Sequence, residues 1–378
     1  MLKHQPKQSR LLLLALFFAV SLNALASNTW YVNGVTGNDA SNGKTAATPY
    51  RTIGHAISTS ASGDSIIVAV ATYTENLNIP FDLTIAGSAA LTTIIDGGHS
   101  ATVVTISNAN AQVRLSQVTI RNGSGLLHGG GGIYNVGTLT IANTIVSGNS
   151  SNDSVVAISG LGGGIYNAGR LTIIASTISG NSVSRFRLSA SPYGGGIYNT
   201  GTLTVTNSTL SANQAVDYWP SGVPYGGAIA NESGTAIISN STLSKNAALI
   251  HTPFGSAGTY GGGIHNNGSA NAKFQNSILA NNTSGGNCTG TLNSLGYNMS
   301  SDSTCHLNGP GDQKSINPML GALQNNGGPT NTMALLPGSP AMKAGNPSGC
   351  TDGSGHLLTT DQRGVTRPTP CDMGAYEH

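Results

Sequence analysis

Five copies of one short motif divide the middle of this chain into near-equal lengths. Gly130-Gly131-Gly132-Ile133-Tyr134-Asn135 returns at 162–167 and 194–199, then as Gly226-Gly227-Ala228-Ile229-Ala230-Asn231 and Gly261-Gly262-Gly263-Ile264-His265-Asn266. The isoleucines step by 32, 32, 32 and 35 residues. A fixed period of that size means a repeat architecture, in which each unit stacks on the last around one continuous core.

The strands within a unit follow from side-chain alternation. Leu203 and Val205 alternate with Thr202, Thr204 and Thr206, and the same stations read Leu139/Ile141 and Leu171/Ile173. Period two with β-branched neighbours is a strand. An aliphatic-x-x-Asn then closes each unit, at Val146/Asn149, Ile178/Asn181, Leu210/Asn213, Leu243/Asn246 and Leu279/Asn282. Three short strands, each ended by Gly or Asn, make one triangular coil. The fold expected is therefore all-β, a parallel β-helix with equivalent side chains stacked ~4.8 Å apart. Asn135, Asn167, Asn199, Asn231 and Asn266 are expected to form a structural ladder. Gly and Asn also suit corners, because they take left-handed backbone at least cost. A phosphate loop would need Lys-Ser/Thr or a following helix, and a calcium-binding nonapeptide would need recurring aspartates. Neither pattern is present.

Repeats are expected over 63–283, since short strand patterns at 64–70, 72–79, 83–86, 92–95, 103–106 and 113–120 precede the glycine triplets. Residues 27–62 read as an N-terminal cap. Within it, 49–58 spaces Ile53, Ala56 and Ile57 on one face of a short helix, which would cover the open first coil. Residues 284–378 read as a C-terminal cap carrying all four cysteines, Cys288, Cys305, Cys350 and Cys371. Three disulfide connectivities are open; nearest-neighbour pairing is preferred. Zinc would want a Cys-x-x-Cys, and no metal or other cofactor is expected. Residues 1–26 resemble a signal peptide: Lys3, Lys7 and Arg10, a short apolar core over 11–20, then Ala24-Leu25-Ala26. That core is too short to span a bilayer. The alternative, a membrane anchor, is set aside, and no later stretch reads as transmembrane.

Composition narrows the partners. Only 8% of residues are charged and the formal charge is +2, so no basic face for nucleic acid is implied. Between each closing Asn and the next glycine run lie four insertions (150–161, 182–193, 214–225 and 247–260) that share no sequence. They leave the coil at one corner and so should pile up on one side, often the binding face of a repeat protein. They carry the candidate binding residues Arg185, Phe186, Arg187, Tyr218, Trp219, Tyr225, Phe254 and Tyr260, with Tyr193, Asp217 and His251 beside them. Aromatics with few charges suit sugar rings or a protein surface; shielding the edge of the helix is the competing reading.

The repeat body resembles the pectin-lyase-like right-handed parallel β-helix, and its Gly-Gly-Ala-Ile and Gly-Gly-Gly-Ile units resemble the repeats of polymorphic outer membrane proteins. The start of the chain, with Pro49-Tyr50-Arg51-Thr52-Ile53 and Gly63-Asp64-Ser65-Ile66, is similar to many exported β-helix proteins. Gly327-Gly328-Pro329-Thr330, Leu336-Pro337-Gly338-Ser339-Pro340-Ala341, Asp361-Gln362-Arg363-Gly364 and Cys371-Asp372-Met373-Gly374-Ala375-Tyr376-Glu377 resemble the choice-of-anchor Q domain of bacterial surface proteins. These resemblances imply a secreted or cell-surface, outer-membrane-associated location and a shape, not a reaction.

A lyase of this fold would need a Lys or Arg base near calcium-binding carboxylates, and a hydrolase clustered aspartates. The repeat body from 129 to 283 offers only Asp153, Asp217 and Glu232. Asp96 with His99 and Arg121 is a weak cluster that reads better as a turn. Asp361, Arg363, Arg367, Asp372 and Glu377 read as charge pairs pinning the cap, so that Arg363→Ala should lower stability. No catalytic residue is assigned. The function expected is a non-catalytic adhesin or recognition scaffold, a monomer that binds a glycan or a cell-surface protein. The alternatives are a polysaccharide lyase or other carbohydrate-active enzyme, and a purely structural surface repeat.

Overall fold

A computed structural model describes residues 27–125, 129–153, 160–185, 191–218, 222–251 and 258–378. The expected signal segment, 1–26, lies outside them. The chain coils as a right-handed parallel β-helix. One turn runs Ile165–Asn167, Arg170–Ile174, Thr177–Ser179 and Ser182–Arg185, and each strand pairs in parallel with its equivalent one repeat on. Among the described residues this builds an eight-stranded first sheet, ten-stranded second and third sheets, and a four-stranded fourth sheet.

The fourth sheet departs from the three-strand coil expected. Ser150–Asp153, Ser182–Arg185, Gln214–Asp217 and Ala247–Ile250 open the four insertions as register-paired strands. Their side chains share no pattern, because what recurs is main-chain pairing launched from the same corner. At the far end of each insertion Leu161, Tyr193, Tyr225 and Tyr260 bridge in turn, so both edges of the insertions are held to the coil.

The core is the aliphatic stack. Ile133, Ile165, Ile197, Ile229 and Ile264 are fully buried, as are Leu139, Leu171 and Leu203 behind them. Each such side chain contributes roughly 1.5–3 kcal/mol on burial. Beside it runs an amide ladder, Asn135 to Asn167 to Asn199 to Asn231 to Asn266, each Nδ2 donating to the next Oδ1 at 2.7 Å. A second ladder joins Asn149, Asn181, Asn213, Asn246 and Asn282 at 2.9 Å. None of these asparagines has a left-handed backbone. The left-handed corners fall instead on Asn143, Ala175, Asn207, Asn240 and Asn276, with φ of 47–50°, and on the first glycine of each triplet. An amide in a strand reaches its neighbour one rung away, whereas a corner amide turns outward.

At the N-terminal end a helix, Ile53–Thr59, buries Ile53, Ala56 and Ile57 against the first coil. Its N-cap is Thr52, and the Glu75 carboxylate accepts from the Ile53 and Gly54 N–H groups at 2.9 and 2.7 Å, filling donors a helix start leaves open. At the other end the Cys288–Cys305 disulfide closes the core. The remaining tail, held by Cys350–Cys371, turns back along the third sheet, where its Leu335, Ala341 and Met373 pack with Ile278, Ala280 and Met299. Thr330 reaches the Ala175 carbonyl, Gln362 the Ser176 carbonyl and Thr209, and Gly374 the Asn276 carbonyl. The third sheet offers serine and threonine hydroxyls on its flank, and the tail is bonded to them across several rungs. Among the described residues no helix is long and apolar enough to cross a membrane.

Candidate functional site

In the repeated Ile-Tyr-Asn strand the isoleucine and asparagine point inward, so the tyrosine between them points out. Register then lines these residues up as one outer column on the first sheet: Asn78, Thr105, Tyr134, Tyr166, Tyr198, Ala230, His265 and Thr289. Ring centroids of Tyr134 and Tyr166 lie 4.9 Å apart, and those of Tyr166 and Tyr198 lie 5.4 Å apart, both stacked. A second column, from the ends of the insertions, stacks Tyr193 on Tyr225 at 4.8 Å and Tyr225 on Tyr260 at 5.3 Å. The two columns touch edge to face at Tyr193 and Tyr198.

Stacking along the axis covers ring faces and leaves edges and hydroxyls toward solvent. The surface thus presents a run of phenol O–H groups at rung spacing, each a donor and an acceptor. Burial, with Glu232 nearby, pushes Tyr198 up to about 12, and burial raises Tyr166, Tyr193 and Tyr225 as well. These phenols keep their protons at neutral pH.

Where the first-sheet column drops to Ala230, Tyr225 leans over to within 4.7 Å of the His265 ring. Glu232 stands 3.6 Å from His265 Nε2 and accepts from Asn267 Nδ2 at 2.9 Å. Burial pulls the imidazole down to about 4 and pushes the Glu232 carboxyl up, so at pH 7 their contact is not an ion pair. The sign of the pH effect follows. A histidine lowered from 6.5 to about 4 leaves the fold unweakened above 6.5 and weakens it as pH falls through that window. Glu232, being raised, opposes this over the acid end of the range. Glu377, pushed up to about 7 by burial, opposes it as well, so we expect His265→Gln to gain in melting midpoint relative to wild type as pH falls from 6.5 to 4. Parallel curves for the two proteins would show that His265 does not set the acid limb.

Of the residues singled out in the sequence, Tyr225 and Tyr260 stand in the second tyrosine column, and Tyr260 is 40% exposed. Tyr218 is 43% exposed and stacks on His251 at 5.5 Å. Arg185 was expected on the binding face, but it is fully buried in the fourth sheet, opposite the equally buried Asp217. A side chain with no exposed surface cannot meet a ligand on that face. Phe186, Arg187, Trp219 and Phe254 lie outside the described residues. Asp96 accepts from Arg121, Asn122 and the Gly98 N–H, a bonded turn. Sequence reasoning passed over Tyr134, Tyr166 and Tyr198, although an apolar-Tyr-Asn triplet between inward neighbours is itself the signal. Among the described residues no three His, Cys, Asp or Glu side chains are grouped to hold a metal.

No known family model and no curated protein matches this chain. Among solved structures it is similar to a pectin methylesterase from carrot (11% identity over 73% of this chain and 82% of that one, TM-score 0.42). It is also similar to a pectate lyase, Pel9A (14% identity, 93% and 96% covered, TM-score 0.45), and to the pectin methylesterase from Aspergillus niger (16%, 73% and 86%, TM-score 0.35). At these scores the likeness says nothing about chemistry.

Proposed function

We propose that this chain is an exported recognition scaffold that binds a glycan along the two tyrosine columns. The observation that carries the reading is the geometry of those columns: tyrosine rings stacked at 4.8–5.4 Å on a rigid wall. A polymer of hydroxylated rings can trade its water for such a row at several points, and several weak contacts on one chain add up. The terminal ring, Tyr260, also offers part of a face, to which sugar C–H groups can pack. Two disulfides fit an oxidising compartment and hence export.

Binding of the secreted protein to a glycan array tests this. Tyr225→Ala and Tyr260→Ala should each weaken the strongest signals about tenfold, roughly 1.4 kcal/mol, with unchanged melting. An array on which the wild type binds nothing, or variants that bind as well as it does, would leave only a structural role for the columns.

A further inference from the structure

The outer column of the first sheet changes character at its N-terminal end. Tyr198, Tyr166 and Tyr134 hold rings; the next two stations hold Thr105 and Asn78. The missing rings leave a groove of about 580 Å³, within the range of small-ligand clefts, about 300–1,000 Å³. Buried Leu77 is part of its lining, Tyr134 stands at one end, and past Asn78 the surface continues as a second hollow of about 390 Å³ toward the capping helix. Asn76 braces one wall, its amide donating to the Ala101 and Thr102 carbonyls at 3.2 and 3.1 Å.

The chemistry of this lining is uniform. Asn78, Thr105 and Ser107 bring an amide and two hydroxyls, and among the described residues none of these groups has a partner within the protein. No ionisable group other than the phenol of Tyr134 is in the described lining. An acidic sugar bound here would lose water around its carboxylate with no cation to replace it, which is costly. An uncharged ring would meet amide and hydroxyl partners at its own hydroxyls and an apolar floor beneath its C–H groups.

We propose that this groove is a binding site for neutral oligosaccharide, selecting uncharged hexose or pentose units against uronates at the N-terminal end of the tyrosine columns. The inference rests on the glycan-recognition reading and names the class of glycan.

The deciding variant is Thr105→Tyr, which extends the column by one ring. The same station holds tyrosine in the next three rungs, so this chain already accommodates the residue there. Calorimetric titration of the full chain with glucan, xylan and mannan hexasaccharides and with an oligogalacturonate hexamer provides the readout. We expect at least one neutral hexasaccharide to bind at least tenfold more tightly than the oligogalacturonate. Thr105→Tyr should lose at least tenfold in that affinity without a change in melting midpoint, and Asn78→Ala should lose less. If the oligogalacturonate binds best, or if Thr105→Tyr binds the neutral chain as well as wild type does, the groove proposal falls. In that second case loss on Tyr260→Ala alone would leave the recognition reading standing. If Thr105→Tyr does not fold, Asn78→Ala and Ser107→Ala together must show the loss; full binding by that pair overturns the proposal. Binding of none of the four hexamers to wild type overturns the groove proposal, while the recognition reading stands or falls on the glycan array.

Discussion

Gly195→Ala should destabilise this protein by about 3 kcal/mol or more, while Gly196→Ala, one residue on, should cost a fraction of that. The difference lies in what each Cβ meets. At Gly195 it would lie 2.3 Å from the Gln214 carbonyl carbon and oxygen and 2.5 Å from its nitrogen. The equivalent middle glycines meet the same obstacle: Gly131 against Ser150, Gly163 against Ser182, Gly227 against Ala247. These four are the first residues of the fourth-sheet strands. The middle glycine of each triplet therefore lets the extra strand cross close over the coil, and backbone pinned in two sheets cannot step aside. The third glycine faces a carbonyl at 2.6 Å and the side-chain amide of Asn213 at 3.1 Å. That station is already alanine in the fourth copy, where Ala228 is fully buried without loss of register. Thermal unfolding of the two variants beside wild type decides. Equal midpoints for both would mean that the close crossing sets no constraint on sequence.

The same glycines show how much of the molecule was legible in its sequence. Identical residues at a constant interval declare both a core and its register, so the inward isoleucines and the first asparagine ladder could be placed from the chain alone. The fourth sheet could not, because Ser-Ser-Asn-Asp, Ser-Val-Ser-Arg, Gln-Ala-Val-Asp and Ala-Ala-Leu-Ile have no common pattern and are joined through main chain. Its only trace was the middle glycine, a residue that lets backbone come close where a side chain would clash. The site divides in the same way. Tyr225 and Tyr260 were visible as aromatics in polar insertions, and their register was legible as well, since Tyr193, Tyr225 and Tyr260 each stand directly before the first glycine of a triplet; that their rings stack along the axis was not. The groove was least legible. It arises where rings are absent, in coils at 77–106 that lack the glycine triplet. The docking of the tail was equally hidden, resting on contacts such as Asn207 to Thr360, which are 153 residues apart.

Arg367→Ala should release that tail and lower stability by about 3–5 kcal/mol, the cost of breaking a buried ion pair from one side. Arg367 and Glu377 have side chains only 1% and 3% exposed and meet at 2.9 Å. The guanidinium also donates to the Asp372 carbonyl at 3.2 Å, the Gly374 carbonyl at 2.7 Å and Asn207 Oδ1 at 3.0 Å. Asn207 is a left-handed corner of the solenoid and itself donates to the Thr360 carbonyl at 2.8 Å. One side chain therefore joins the tail to itself and to the wall. Its removal strands the Glu377 carboxylate beside Asp372 with no cation, and leaves three acceptors without this donor. Arg363 should matter less, since its bonds to Asp361 and to the Asn326 and Glu377 carbonyls, and its place 3.5 Å over the Tyr376 ring, all lie within the tail. Because the aliphatic stack is independent of these contacts, loss should begin locally. Protease should remove the region after 316 from Arg367→Ala while the strand signal in circular dichroism persists. Replacing both charges, Arg367→Leu with Glu377→Leu, should cost less than Arg367→Ala alone, since no unpaired charge is left buried. A double variant as damaged as the sum of its singles would show that the hydrogen bonds to Asn207 and Gly374, rather than the ion pair, hold the tail in place.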